Sequence, residues 1–177
     1  MKKVGWGFIG AGGITERFMT GLLQVPDAYL AAVSSRTYER AKNFADKYNA
    51  KVYRTVEELI ADENVDIIYV ATPNTVHREN TLMAINMGKP VLCEKPMAPN
   101  AQMVREMVKA AREKKVYLME AMWTRFFPAA EKVRSWLADG KIGKVQFFLA
   151  DFGFYLDNPG DIRLNPETAG GSLLDVG

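Results

Sequence analysis

The stretch from Val4 to Phe18, V-G-W-G-F-I-G-A-G-G-I-T-E-R-F, restricts the fold more than any other part of the chain. Val4, Trp6, Phe8 and Ile9 make a short apolar run with no helix-start residues, which suits a strand covered on both faces. Gly10, Gly12 and Gly13 then permit a sharp turn and leave no side chain between the main chain and a phosphate. Ile14, Phe18, Leu22 and Val25 recur at helical spacing, which predicts a helix with that face buried and its free N–H groups aimed back at the turn. A diphosphate seated there meets hydrogen-bond donors and the positive end of the helix dipole. This is the dinucleotide-binding pattern, with Gly10, Gly12, Gly13 and Ile14 as expected cofactor contacts and Thr15 standing at the third glycine position. A plain strand-to-helix turn is the alternative; the pattern's position, after a strand and at the head of a helix, favours the nucleotide.

Tyr29 to Ser34 reads as the second strand, and its end indicates which dinucleotide fits. A carboxylate there would hold the 2′-hydroxyl of NAD, but the chain offers Ser34-Ser35-Arg36-Thr37, and the nearest acids are Asp27 and Glu39. Hydroxyls and a guanidinium suit a 2′-phosphate, so Ser35, Arg36 and Thr37 are expected to bind NADP in preference to NAD. Arg36 could also be an ordinary solvated surface charge.

Strand and helix keep alternating. Ala41, Phe44, Ala45 and Tyr48 mark a helix, Val52-Tyr53 a short strand, and Thr55-Val56-Glu57-Glu58 a capping box before Leu59 and Ile60. Val65 to Ala71 reads as a buried strand despite Asp66. This order predicts an α/β fold with a doubly wound parallel sheet and right-handed crossovers. Thr72-Pro73-Asn74-Thr75 leaves the fourth strand at the edge where ligands bind in such sheets. Asn74 or Thr75 can cap the next helix, which carries Met83 and Met87 as core residues and, on the simplest reading, His77 exposed in its first turn. Val91-Leu92-Cys93 is a fifth strand running into Glu94-Lys95-Pro96. Lys95 reads either as part of a surface turn or as an amine that holds a substrate hydroxyl beside the cofactor. Asn100 caps a helix through Val104, Met107, Val108 and Ala111, and Val116 to Met119 is a sixth strand that completes a nucleotide domain over residues 1–122. Residues 123–177 then begin a second domain. They hold the aromatic crossover Trp123 to Pro128, a helix with Ala130, Val133 and Leu137, and a long strand expected from Val145 to Phe154.

Composition narrows the partners. A net charge of +2 with scattered basic residues gives no track for nucleic acid, and no apolar run approaches a membrane span. One cysteine, Cys93, permits no internal disulfide, reads as a small buried residue and fits a reducing cytoplasm, and the N-terminus entering directly into a strand leaves no room for a signal peptide. The lone His77 and lone Cys93 exclude the common zinc ligand sets, so no metal is expected.

Taken together, the glycine loop, Ser-Ser-Arg, Ala71-Thr72-Pro73-Asn74, Glu94-Lys95-Pro96 and Glu120 to Pro128 resemble the Gfo/Idh/MocA family of NAD(P)-dependent oxidoreductases. The Trp-Thr-Arg-Phe-Phe-Pro run is most similar to the branch holding dimeric dihydrodiol dehydrogenase and NADP-dependent xylose dehydrogenase. The resemblance implies a Rossmann domain followed by an α+β domain built on an open sheet and often used for homodimerisation. It implies that Lys95 hydrogen-bonds the substrate hydroxyl and passes its proton. It further implies that Thr72, Pro73, Asn74, His77 and Glu94 lie at the nicotinamide side, and that Trp123, Arg125, Phe126 and Phe152 wall a site for a sugar, polyol or diol. An NADP-sensing protein that kept the fold without the chemistry is the alternative. Ala169 to Gly177 is similar to the helix bearing the family's second catalytic element, where an aspartate, here Asp175, is followed four residues later by histidine or tyrosine. That position falls past Gly177, so the expectation is a piece of a longer enzyme that binds NADP better than it catalyses, with Phe147, Phe148, Phe152 and Phe154 partly exposed.

Overall fold

The computed structural model describes residues 3–176; Gly177, the last residue of the C-terminal motif, lies outside them. Strands β1 (Val4–Ile9), β2 (Ala28–Ser34), β3 (Lys51–Tyr53), β4 (Ile67–Val70), β5 (Val91–Cys93) and β6 (Leu118–Glu120) form one parallel sheet in the order β3-β2-β1-β4-β5-β6. Helices α1 (Gly13–Leu22), α2 (Tyr38–Tyr48), α3 (Val56–Ala61), α4 (His77–Asn86) and α5 (Ala101–Lys114) connect them. The order of strands reverses between β1 and β4, and the crevice at that point opens at their carboxyl ends.

Alternation along the strands sends successive side chains to opposite faces. Ile9, Ile68, Val70 and Val91 pack with Leu59, Ile60, Ile85 and Met107 from α3, α4 and α5. Phe8, Val33 and Tyr69 pack on the other face with Met19 and Leu22 of α1 and Phe44 of α2. Phe18 joins this second layer, stacked on Tyr69 with ring centroids 4.2 Å apart and edge-on to Phe8 at 5.7 Å. Asp66 interrupts the apolar run because its carboxylate accepts from the Gly5 N–H at 2.9 Å, just outside β4.

Several local expectations need correction. The buried face of α1 is Thr15, Met19 and Leu22, whereas Ile14 is 42 % and Val25 49 % exposed. Thr15 can sit on the buried face because its hydroxyl donates to the Gly12 carbonyl at 2.5 Å and so is not left unsatisfied. Neither Asn74 nor Thr75 caps α4: a 3-10 turn over Asn74–Val76 precedes the helix, and no side chain bonds its N-cap. Met87 follows the helix end and is exposed rather than in the core.

Beyond β6 the chain runs through a 3-10 turn at Trp123–Phe126 into helix α6 (Pro128–Ala138) and ends in a short helix α7 (Ser172–Asp175). The long strand expected at Val145 to Phe154 is not formed. A strand is completed by a partner's hydrogen bonds, and no described segment pairs with this one. Phe147 and Phe148 are each 80 % exposed there.

Candidate active site

Four loops meet at the carboxyl edge of the sheet. The first is the glycine turn between β1 and α1. Gly10 has φ +114°, and a Cβ on it would run into the Ala71 carbonyl, so glycine is required on both counts. Its N–H donates to the Ser34 carbonyl at 2.8 Å, tying the turn to the end of β2. Gly12 and Gly13 differ: a Cβ at either would meet nothing within 4 Å. The protein does not need the missing side chains there, which leaves bare backbone at the head of α1, whose N-cap Gly12 makes no side-chain cap. That surface fits a dinucleotide diphosphate. Ile14 stands exposed beside it.

The second loop, after β2, has Ser35 half-buried and Arg36 and Thr37 exposed. No acidic residue occurs between Ser34 and Tyr38. The third and fourth loops follow β4 and β5, and His77 binds them to each other. It is fully buried, with Nδ1 2.8 Å from the Pro96 carbonyl and Nε2 2.8 Å from the Thr72 carbonyl. The exposed first-turn histidine is thus corrected to an internal strut.

Glu94 is also turned inward. It is 9 % exposed, and its carboxylate accepts from the Tyr69 hydroxyl at 2.5 Å and from the Lys95 N–H at 3.2 Å. Burial, with the Glu94 charge beside it, pushes the Tyr69 phenol far above its ordinary range, so it stays a neutral donor. Cys93, one residue earlier, is fully buried, and burial pushes its thiol up to about 12. It is a packing residue, as its sequence context indicates.

Lys95 is anchored at its base by these contacts and at its tip by the C-terminal segment. Its ammonium donates to Asp175 Oδ1 at 2.7 Å and to the Asp175 carbonyl at 2.7 Å. The two side chains are 24 % and 18 % exposed, so the pair is shielded yet reachable. Asn74 adds a second link, its amide donating to the Ala169 carbonyl at 3.1 Å. A small cleft of about 50 Å³, partly open to solvent, lies among Asn74, Lys95, Ile162, Arg163, Ala169 and Asp175. An ammonium fixed by two oxygens of one residue can offer its remaining proton to an alcohol or carbonyl oxygen entering the cleft.

The aromatic candidates stand apart from this cleft. Trp123 and Phe126 are 45 % and 58 % exposed on the turn after β6, where Trp123 packs edge-on to Phe127 and the Arg125 carbonyl accepts from Arg134. Phe152 packs edge-on to Phe154 in the irregular stretch. Arg163, which belongs to none of the motifs, lines the cleft directly. Asp161 grips its guanidinium through both carboxylate oxygens, at 2.9 and 2.7 Å, and the Phe154 ring lies 5.5 Å beneath it. Arg163 in turn holds the Asp161 carboxyl down at about 2. An i, i+2 Asp–Arg pair was the available signal, but such pairs are common on surfaces and name no site.

The model of the GFO_IDH_MocA oxidoreductase family, described by its NAD-binding Rossmann fold, matches residues 4–122. The chain is 46 % identical over 176 residues to trans-1,2-dihydrobenzene-1,2-diol dehydrogenase of Mus musculus, covering 97 % of this chain and 52 % of that one. It is 39 % identical to D-xylose 1-dehydrogenase (NADP(+)) of Hypocrea jecorina, covering 97 % of this chain and 50 % of the relative. Among solved structures it is similar to KijD10, a 3-ketoreductase from Actinomadura kijaniata in complex with NADP and TDP-benzene. That match has a TM-score of 0.90 and 31 % identity, over 99 % of this chain and 54 % of the other. The chain thus spans about half the length of the curated relatives it matches.

Proposed function

The chain belongs to the Gfo/Idh/MocA oxidoreductase family, and on that premise we propose that it carries the NADP-binding domain and the proton-handling amine of a dehydrogenase. Its reaction would move a hydride between nicotinamide and a carbinol carbon of a sugar, polyol or trans-dihydrodiol. Residues 1–122 form the nucleotide domain in this reading, and residues 123–177 begin the substrate domain. The observation that carries it is the direct contact of Lys95 and Asp175 in the lining of the cleft. Residues 80 apart in sequence converge there, and a surface turn would not require that.

The dinucleotide, when bound, supplies or accepts the hydride. The chain's own part is positional and protic. Gly12, Gly13 and Ile14 cradle the diphosphate, and Ser35, Arg36 and Thr37 receive the 2′-phosphate, which the missing carboxylate at the end of β2 favours. Thr72, Pro73, Asn74 and His77 shape the nicotinamide end, with Glu94 fixing the base of Lys95. As hydride reaches a carbonyl carbon, the Lys95 ammonium would hydrogen-bond the oxygen and give it a proton. In the oxidising direction Lys95 would first lose a proton to solvent and take the carbinol proton as a neutral amine, with Asp175 orienting the side chain. Trp123, Arg125, Phe126 and Phe152, which do not line the cleft itself, would wall the outer part of a substrate site. Homodimerisation and a reducing, cytoplasmic setting complete the reading, the latter supported by the single buried thiol. Sedimentation measures the former.

The test joins cofactor titration to a substrate screen. NADPH should bind more tightly than NADH, and aldoses, inositols or cyclic trans-diols should exchange hydride with it. Lys95→Met should lower turnover by about 100-fold or more while leaving NADPH affinity within about twofold. NADPH binding without hydride exchange across the whole screen, with the full-length protein, would indicate the sensing protein instead. Turnover undiminished in Lys95→Met would remove the amine from the mechanism.

A further inference from the structure

The loop after β3 adds a residue to the adenosine end that no glycine or serine pattern identifies. Strands β2 and β3 run parallel with Ser34 opposite Tyr53. The next residues, Ser35-Arg36 on one strand and Arg54 on the other, therefore leave the sheet side by side at its carboxyl edge. Arg54 is exposed but not loose: its guanidinium carbon lies 4.2 Å from the centroid of the Tyr38 ring. Tyr38 opens α2 directly after Ser35-Arg36-Thr37. Arg36 and Arg54 therefore flank one short segment.

Neither arginine joins an ion pair among the described residues. Glu58, four positions beyond Arg54, is turned away to accept from the Thr55 N–H at 3.2 Å. The cation–π contact with the Tyr38 ring limits the rotamers open to the Arg54 guanidinium. Arg36 and Arg54 thus follow the paired ends of β2 and β3 without an ion-pair partner among the described residues.

We propose that Arg54, held by Tyr38, acts with Arg36 as a second ligand for the 2′-phosphate and so determines the preference for NADP over NAD. This rests on the cofactor reading above. A 2′-phosphate has three acceptor oxygens and can take two guanidinium groups at once. A 2′-hydroxyl offers neither the charge nor the acceptors, so Arg54 contributes to one cofactor and not the other.

Calorimetric titration of NADP, NAD and 2′,5′-ADP into wild type, Arg54→Ala, Arg54→Lys and Tyr38→Leu tests this. Arg54→Ala should weaken NADP and 2′,5′-ADP by about tenfold and leave NAD within about twofold. Arg54→Lys should recover part of the loss through charge alone, and Tyr38→Leu should give a smaller loss by freeing the guanidinium. An NADP preference that survives Arg54→Ala overturns the role of Arg54 alone. A wild-type chain that binds NAD as tightly as NADP overturns the cofactor reading and this proposal with it.

Discussion

Asp62 follows α3 almost fully buried, and four donors converge on its carboxylate. They are the Asn64 N–H at 2.8 Å, the Asn64 side-chain amide at 2.9 Å, the Tyr53 hydroxyl at 2.8 Å and the Lys51 ammonium at 3.1 Å. Burial alone would raise its pKa, but the donors outweigh burial and hold the carboxyl well below the usual range. The unfolded chain therefore binds this proton more readily than the folded one. Stability from Asp62 is complete above the unfolded value near ~4 and is lost as pH falls through the folded value. Asp62→Asn should lower neutral-pH stability by about 1–3 kcal/mol and flatten the acid limb, as urea midpoints measured across pH would record. Residues of this kind are poorly legible beforehand. The sequence names Asp62 and Tyr53, but only the fold brings β3 against the end of α3. His77 is a sharper case. Its motif was visible, yet its role as a strut depends on Pro96, nineteen positions away in sequence and across a strand.

Elements were read well where their determinants are local. The capping box at α3 forms as its four residues indicate, with Thr55 and Glu58 exchanging bonds of 3.2 Å in both directions. Thr55→Ala should destabilise the fold by about 1 kcal/mol, read as a lower denaturant midpoint with unchanged slope. Asn100 caps α5 in the same way, accepting from the Met103 N–H at 3.0 Å. Legibility fell where a neighbour decides. Thr15 joins the buried face of α1 because its hydroxyl folds back on the Gly12 carbonyl, which apolar periodicity does not register. Val145 to Phe154 has the bulky alternation of a strand, but period two names a face and not a partner. The lysine and aspartate of the cleft were each visible in their motifs, and their separation of 2.7 Å was not.

At the scale of the molecule, the two packed layers lie wholly on the sheet built by residues 4–120, and the segment around Phe147 to Tyr155 remains outside them. Backbone without regular hydrogen bonds is where proteases enter. Trypsin should therefore cut first at Lys141 or Lys144, and the fragment retaining residues 3–122 should keep NADP affinity while losing the Asp175 contact to Lys95. A first cut within the sheet, or a fragment unable to bind, would contradict this division. One contact inside that sheet reaches further. Gly10 leans on the carbonyl of Ala71 with no room for a methyl group between them, so the turn under the diphosphate and the strand end leading to Thr72 share a single wall. Redesign of one is inseparable from damage to the other. The far rim around Ser35, Arg36 and Arg54 has no such shared wall, and carrier choice can drift or be engineered there while the chemistry at the opposite end is left intact.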